Sequence, residues 1–229
     1  PGLENAAANF VPLTPLSHLR RAAGLFADHE AVVYGGFRKT YAEYYARCSR
    51  LASGLVKMGV EPGDVVATIL PNVPAHVEAH FGVPACGAVL NAINIRLEAD
   101  TIAYIFDHGE AKVVLVDPQF MGVVQAAIEM MEGPAPKIIE VADPQGGVAA
   151  ITDYPEYEDV LAGGDPEFDW IMPQDEWESL ALNYTSGTTG RPKGVVYHHR
   201  GAYLMTMGTA ITWPIPRHAK YLTIVPLFH

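Results

Sequence analysis

Between residues 64 and 143 the chain alternates short, β-branched apolar runs with longer stretches whose apolar residues recur at helical spacing. Runs that are apolar without interruption indicate strands buried on both faces of a sheet. Strands that alternate with amphipathic helices predict a mostly parallel sheet with helices on both faces, which is the α/β class. The predicted strands are residues 64–70, 89–94, 111–117 and 136–143, and the predicted helices between them are 74–88, 99–108 and 120–131.

The amino-terminal part adds a hairpin and a long helix. The stretch "AVVYGGFRKTY", residues 31–41, predicts a hairpin that turns at Gly35-Gly36. Thr40 then fits a helix N-cap, and Glu43 three places on completes a capping box. A stripe of Tyr, Leu and Cys side chains follows at helical spacing as far as Gly59, and we interpret it as core packing.

Pro, Gly and acidic residues dominate residues 143–174, with one short predicted helix at 156–161. This composition predicts an exposed connection whose charges form a solvated face. We therefore divide the chain into a first α/β subdomain at 1–142, a connection at 143–174 and the start of a second α/β subdomain at 175–229. The second part opens with a predicted strand, "ESLALNY".

Composition excludes several classes of protein. A hydrophobic fraction of 49% over 229 residues supports a large core, and a net charge of −11 argues against a nucleic-acid partner. The two cysteines, Cys48 and Cys86, form neither a disulfide framework nor a metal spacing, so we predict buried, reduced thiols. No apolar run approaches the roughly 20 residues of a membrane-spanning helix. The sequence predicts a soluble, cytoplasmic protein.

A polar loop, residues 185–194, interrupts these apolar elements. It holds three glycines, four hydroxyl side chains and two cations. Glycines that free backbone N–H groups, hydroxyl donors and a lysine together form a cradle for an anion. The spacing fits neither the Walker loop nor the Rossmann fingerprint, because Pro192 and Gly194 occupy positions that the Walker loop reserves for Gly and Ser or Thr. The remaining alternative is a solvated hairpin loop without a ligand.

The spacing "TSGTTGRPKG" resembles the phosphate-binding signature of the adenylate-forming superfamily, which includes the acyl-CoA synthetases. The stretches "KTYAEYYARCSRLASGLVKMGVEPGDVVATILPN", "GVPACGAVLNAIN", "HHRGAYL" and "PLFH" are similar to other segments of that family. The resemblance implies the layered αβαβα amino-terminal domain of the acyl-CoA synthetase fold, incomplete at its carboxyl end. Within the superfamily, "NFVPLTPLSHLRRAA" and "VLNAINIRL" look most like bacterial fatty-acyl-CoA ligases of short to medium chain preference. That branch includes the 3-methylmercaptopropionate–CoA ligases and the plant peroxisomal acyl-activating enzymes.

The resemblance also implies a reaction and its site. ATP and a carboxylic acid, with Mg²⁺, would give an acyl-adenylate, and CoA would then take the acyl group as a thioester. His229 would orient the carboxylate, and the hydroxyl of Thr185 would reach the Mg²⁺. The residues that would hold the outer phosphates are Thr185, Ser186, Gly187, Thr188, Thr189, Gly190 and Lys193.

Other hypotheses about the function of the chain stay open. Full-length relatives continue past this point with a hinge and a second domain, so we expect this chain to be an amino-terminal portion that is inactive alone. The alternatives are an adenylating enzyme that loads a carrier protein and a non-catalytic nucleotide-binding protein. For the oligomeric state, a monomer and a homodimer both stay open. We expect His199 to cap the following helix, and we expect "AYLMTMGTAI" to be mainly core. His76, His80 and His108 are predicted to be structural.

Overall fold

A six-stranded sheet organises the computed structural model, which describes Gly2 and residues 4–6, 8–185 and 191–229. A separate two-stranded hairpin precedes the sheet. The strands are β1 Glu30–Tyr34, β2 Phe37–Thr40, β3 Val65–Ile69, β4 Val89–Ala92, β5 Ala111–Val116, β6 Lys137–Glu140, β7 Ser179–Tyr184 and β8 Gly194–His198. The helices are α1 Leu16–Leu25, α2 Tyr41–Lys57, α3 Pro74–Ala85, α4 Ala99–His108, α5 Met121–Glu129, α6 Tyr157–Ala162 and α7 His199–Thr212, with a 3₁₀ turn at Pro118–Phe120.

The order of the strands in the sheet is β6-β5-β3-β4-β7-β8. All neighbouring pairs are parallel except β7 and β8, which form an antiparallel hairpin. In β3 and β4, Val66 lies beside Leu90 and Ala67 lies beside Asn91. The predicted parallel α/β sheet is confirmed.

Helices cover both faces of this sheet, and successive side chains of its strands point alternately into two apolar cores. Val66, Leu90 and Leu115 face one core, which α1, α2, α3 and α6 complete. Ile69 and Val114 face the other, which α4 and α5 complete. Side chains that alternate between two covered faces explain why the strands read as uninterrupted apolar runs.

The amino-terminal predictions are also confirmed. The Thr40 side chain accepts a hydrogen bond from the Glu43 backbone N–H, and the Glu43 carboxylate accepts one from the Thr40 N–H. This capping box begins α2 directly after β2 and so fixes where the hairpin meets the core. Cys48 and Cys86 are buried and free.

The prediction that residues 143–174 form an exposed connection is wrong in part. Tyr157, Leu161 and Trp170 are buried in the core that α2 completes. The Trp170 indole N–H donates to the Ser49 hydroxyl at 2.8 Å. The acidic composition led to the wrong prediction because the residues of this segment that become buried are few and widely spaced in the sequence. The division at 142 and 175 remains a prediction, although β7 joins the same sheet beside β4.

Two predictions about residues 198–212 are wrong. The imidazole of His198, not of His199, caps α7 by accepting a hydrogen bond from the Gly201 N–H at 2.9 Å. His199 is instead buried, with its Nδ1 2.8 Å from the Thr14 hydroxyl. The apolar residues of α7 do not form core among the described residues, since Met205 and Ile211 are 72% and 79% exposed. Over the described residues, no helix is both long enough and apolar enough to cross a membrane.

Candidate active site at the carboxyl edge of the sheet

The carboxyl ends of the parallel strands meet at one edge of the sheet, where ligands bind in open α/β folds. A cleft of about 450 Å³ opens at this edge, beside the ends of β4 and β7. Asn94 and Thr101 line it from the segment after β4, and Thr185 lines it from the end of β7. Phe228 and His229 also line it. The structure therefore brings two of the sequence-predicted site residues, Thr185 and His229, into one cleft.

The predicted phosphate loop lies in sequence between β7 and β8, which pair as an antiparallel hairpin. The last ladder pair joins Tyr184 to Gly194, and the Thr185 N–H donates to the Lys193 carbonyl at 3.0 Å. These contacts fix both ends of the loop, and the Thr185 and Lys193 side chains are exposed at them. Five predicted phosphate ligands lie outside the described residues, and their roles stay predictions: Ser186, Gly187, Thr188, Thr189 and Gly190.

Helix α4 braces both ends of this loop, a feature that the sequence analysis missed. The His108 Nδ1 lies 2.7 Å from the Tyr184 hydroxyl, next to the start of the loop. At the other end, the Arg191 guanidinium lies 5.0 Å from the centre of the Tyr104 ring. Burial raises the pKa of Tyr184 to about 12, so its hydroxyl stays protonated at neutral pH and can donate to His108. The i, i+4 spacing of Tyr104 and His108 on a predicted helix was the available signal.

The described donors at the cleft suit a magnesium–nucleotide complex. Thr185, Asn94 and Asn183 present hydroxyl and amide groups there, and oxygen atoms are the ligands that Mg²⁺ prefers. Within the described ranges, no group of three or more His, Cys, Asp or Glu side chains could hold a metal ion by itself. A few neutral oxygens fit an ion whose other ligands come from phosphates and water. Direct contact of Thr185 with Mg²⁺ stays a prediction.

His229 reaches the cleft through a turn. The His229 N–H donates to the Pro226 carbonyl at 3.2 Å, and the Phe228 ring between them is only 6% exposed. The buried ring anchors the turn while the His229 side chain remains exposed at the cleft. The exposed imidazole and Thr185 therefore both border the cleft.

The family model of the AMP-binding enzymes matches residues 19–229. The chain belongs to this family. It is 45% identical over 233 residues to an acetate/butyrate–CoA ligase of Arabidopsis thaliana, described as peroxisomal, covering 97% of this chain and 41% of the relative. It is 43% identical over 245 residues to an acetate–CoA ligase of Humulus lupulus, covering 99% of this chain and 42% of the relative. The chain thus spans about two fifths of the length of these relatives.

Solved structures have the same architecture. An inhibitor-bound amino-terminal domain of FACL13 from Mycobacterium tuberculosis matches with a TM-score of 0.75 and 26% identity, covering 95% of this chain and 52% of that one. A long-chain-fatty-acid–CoA ligase from Archaeoglobus fulgidus matches with a TM-score of 0.82 and 21% identity, covering 96% of this chain and 44% of that one. The second likeness shows the fold alone. The predicted layered fold of the acyl-CoA synthetases is confirmed.

Proposed function

We propose that the whole enzyme activates a short- or medium-chain carboxylic acid with ATP and transfers the acyl group to CoA. Support comes from the cleft that joins Thr185 to His229 and from relatives that are named acetate/butyrate–, acetate– and 2-methylpropanoate–CoA ligases. The acids in these names are small. We therefore place acetate, butyrate and branched acids of similar size before 3-methylmercaptopropionate.

The reaction has two steps. A carboxylate oxygen attacks the α-phosphorus of ATP, the bond to the β-phosphate oxygen breaks, and pyrophosphate leaves. The CoA thiol, losing its proton, then attacks the acyl carbon, and AMP leaves as the thioester forms. Both steps place negative charge on oxygen atoms around phosphorus, so preorganised donors and cations lower the barrier. Bound Mg²⁺ would neutralise part of the charge on the phosphates.

The described residues have separate parts in this scheme. Lys193, at the exit of the hairpin loop, supplies a positive charge to the leaving pyrophosphate. Thr185, at the entry, supplies a neutral donor or a ligand for the cation. His229, across the cleft, orients the attacking carboxylate with a ring N–H. The single observation that supports this assignment is that Thr185, Pro192 and His229 line one cleft at the carboxyl edge of the sheet, with the Lys193 carbonyl bonded to the Thr185 N–H.

The Lys193→Ala variant of the full-length enzyme tests the assignment. Losing one charge-assisted contact costs roughly 1.5–3 kcal/mol, so kcat/KM for acid-dependent ATP–pyrophosphate exchange should fall about 10- to 150-fold. Lys39→Ala is the matched control, because Lys39 lies on β2, outside the six-stranded sheet, and its ammonium group contacts only Glu43 and the Phe37 ring among the described residues. Equal rates for the two variants would remove Lys193 from the site.

Two finer points of the proposal have direct assays. Product analysis with free CoA and with a carrier protein distinguishes the two acyl acceptors, and we propose CoA. We also propose a cytoplasmic location. The peroxisomal descriptions of four relatives set a clear alternative. Cell fractionation with an antibody to the full-length protein separates the two compartments.

A further inference from the structure

The Asn72 side chain joins the loop after β3 to the segment that carries His229. Its Nδ2 donates to the Val225 carbonyl at 2.9 Å and to the Thr223 carbonyl at 3.4 Å. Its Oδ1 accepts a hydrogen bond from the Leu227 N–H at 2.9 Å. One amide thus bonds to three backbone groups that lie more than 150 residues away in sequence.

Packing alone holds this segment weakly among the described residues. Leu222, Ile224 and Val225 are 78%, 77% and 60% exposed, while Phe228 is buried. An irregular segment with exposed side chains has few apolar contacts to fix its path, so its backbone hydrogen bonds carry more of that task. The bond to the Leu227 N–H lies at the first residue inside the turn that joins Pro226 to His229.

Hydrogen bonds hold the loop that carries Asn72 in place. Its neighbour Pro71 offers a carbonyl that accepts both the Val73 N–H at 2.9 Å and the His76 Nδ1–H at 3.1 Å. The other ring nitrogen of His76 lies 3.2 Å from the Thr68 hydroxyl inside β3. Because a carbonyl can only accept, Nδ1 carries the ring proton and Nε2 accepts from Thr68. The loop is therefore tied to both β3 and α3 on either side of Asn72.

We propose that Asn72 is a positioning residue: its amide sets the turn at Pro226 so that His229 points into the cleft. This inference rests on the proposed function, since it assigns to Asn72 a task that matters only if His229 acts on the substrate. An amide suits the task because it offers an acceptor to the Leu227 N–H and donors to two carbonyls. A carboxylate of the same shape would keep the first contact and repel the two carbonyls.

The test compares Asn72→Ala, His229→Ala and the double variant in the full-length enzyme, by acid-dependent ATP–pyrophosphate exchange. A misplaced orienting group should lower kcat about 10- to 100-fold, while KM for ATP stays within about 2-fold because the hairpin loop is held independently. In the double variant the Asn72 change should add nothing to the loss caused by His229→Ala. Asn9→Ala is the control. The Asn9 amide also bonds to backbone groups, but these lie near the amino terminus, so the substitution should leave kcat unchanged.

The outcomes separate the two proposals. The positioning role is overturned, and the proposed function stands, if His229→Ala lowers kcat but Asn72→Ala does not. The same conclusion follows if the fold-loss of kcat in the double variant equals the product of the two single-variant losses. If exchange does not depend on an added acid, or neither His229→Ala nor Lys193→Ala lowers it, the proposed function itself fails. Should Asn72→Ala not fold, Asn72→Asp gives the same comparison with nearly unchanged shape. Unfolding of both variants would assign Asn72 a general structural role and overturn the proposal.

Discussion

Acid should destabilise this protein through His76, which is fully buried between β3 and α3. Burial, and secondarily the neighbouring His80 ring, lowers the pKa of His76 from 6.5 to about 3. The neutral ring already donates to Pro71 and accepts from Thr68, so a second proton would replace an acceptor with a donor facing the Thr68 hydroxyl. The folded state therefore favours the neutral ring more strongly than the unfolded chain does.

The size of the effect follows from the two pKa values. Because the folded pKa lies below the unfolded one, this stabilisation is fully present above pH 6.5 and is lost as the pH falls towards 3. Each pH unit in that window changes the free energy of unfolding by about 1.4 kcal/mol. From pH 8 to pH 5 the loss due to His76 alone should be about 2 kcal/mol.

Urea unfolding at pH 8 and pH 5 measures this loss. Trp170 is buried and Trp177 and Trp213 are exposed, so the fluorescence change reports mainly on Trp170 and the core around it. We compare the unchanged chain with His76→Asn and with Val83→Ala, which removes core volume from the same helix without removing a titratable group. The unchanged chain and Val83→Ala should each lose about 2 kcal/mol more than His76→Asn. Equal losses in all three would refute the reasoning.

Two further changes test the packing of the connection and the buried ion pair. A Cβ at Gly164 would lie 2.1 Å from a backbone carbonyl oxygen of α2, so Gly164→Ala should lower the free energy of unfolding by at least about 2 kcal/mol. A Cβ at Gly122 in α5 would meet no atom within 4 Å, so Gly122→Ala should raise the free energy of unfolding by up to about 1 kcal/mol. Thermal unfolding compares the two, and equal midpoints would contradict the close packing at Gly164. Arg47 pairs with the buried Glu78 at 2.5 Å and also with Glu158, so Arg47→Met should cost about 3–5 kcal/mol by urea unfolding. Arg47→Met/Glu78→Met should recover part of this loss but not all of it, because the buried Tyr157 hydroxyl then loses its bond to Glu78. A double variant no more stable than Arg47→Met would contradict this.

Elements whose signal is local could be predicted from the sequence. The apolar runs of β3 to β6 and the capping box at Thr40 each depend on residues within a few positions of one another. The helix α4, from Ala99 to His108, was predicted with the bounds that the structure shows. Apolar periodicity and turn chemistry suffice for such elements because neighbouring residues determine them.

Features that depend on distant partners could not be predicted. Trp170 is buried because α2, more than a hundred residues earlier, offers Ser49 and a stacked Tyr45 ring. The apolar residues of α7 led to a prediction of core, yet Met205 and Ile211 are exposed among the described residues. At the site, the resemblance pointed to Thr185 and His229, and the structure places both at the cleft. Their roles, and that of Lys193, stay predictions.

The side chains that support the site also have distant partners, and the sequence offered only the i, i+4 spacing of Tyr104 and His108 as a signal. His108 was predicted to be structural without a partner, yet its ring lies against the Tyr184 hydroxyl at the start of the loop. Asn72 stood in the sequence only as the end of a strand motif. Its three contacts exist because the topology returns a distant segment to the edge where β3 ends.

In the part of the chain that the structure describes, β8 lies at one side of the sheet with Val195, Val196 and Tyr197 39%, 57% and 47% exposed. Such a border strand offers backbone N–H and C=O groups, beside apolar side chains, to any strand that approaches it. Isolated samples of these 229 residues should therefore be kept dilute, or carry a charged substitution in β8, to prevent two copies from pairing through their edge strands. The hairpin that holds the ends of the predicted phosphate loop is thus also an edge at which copies of these 229 residues would pair.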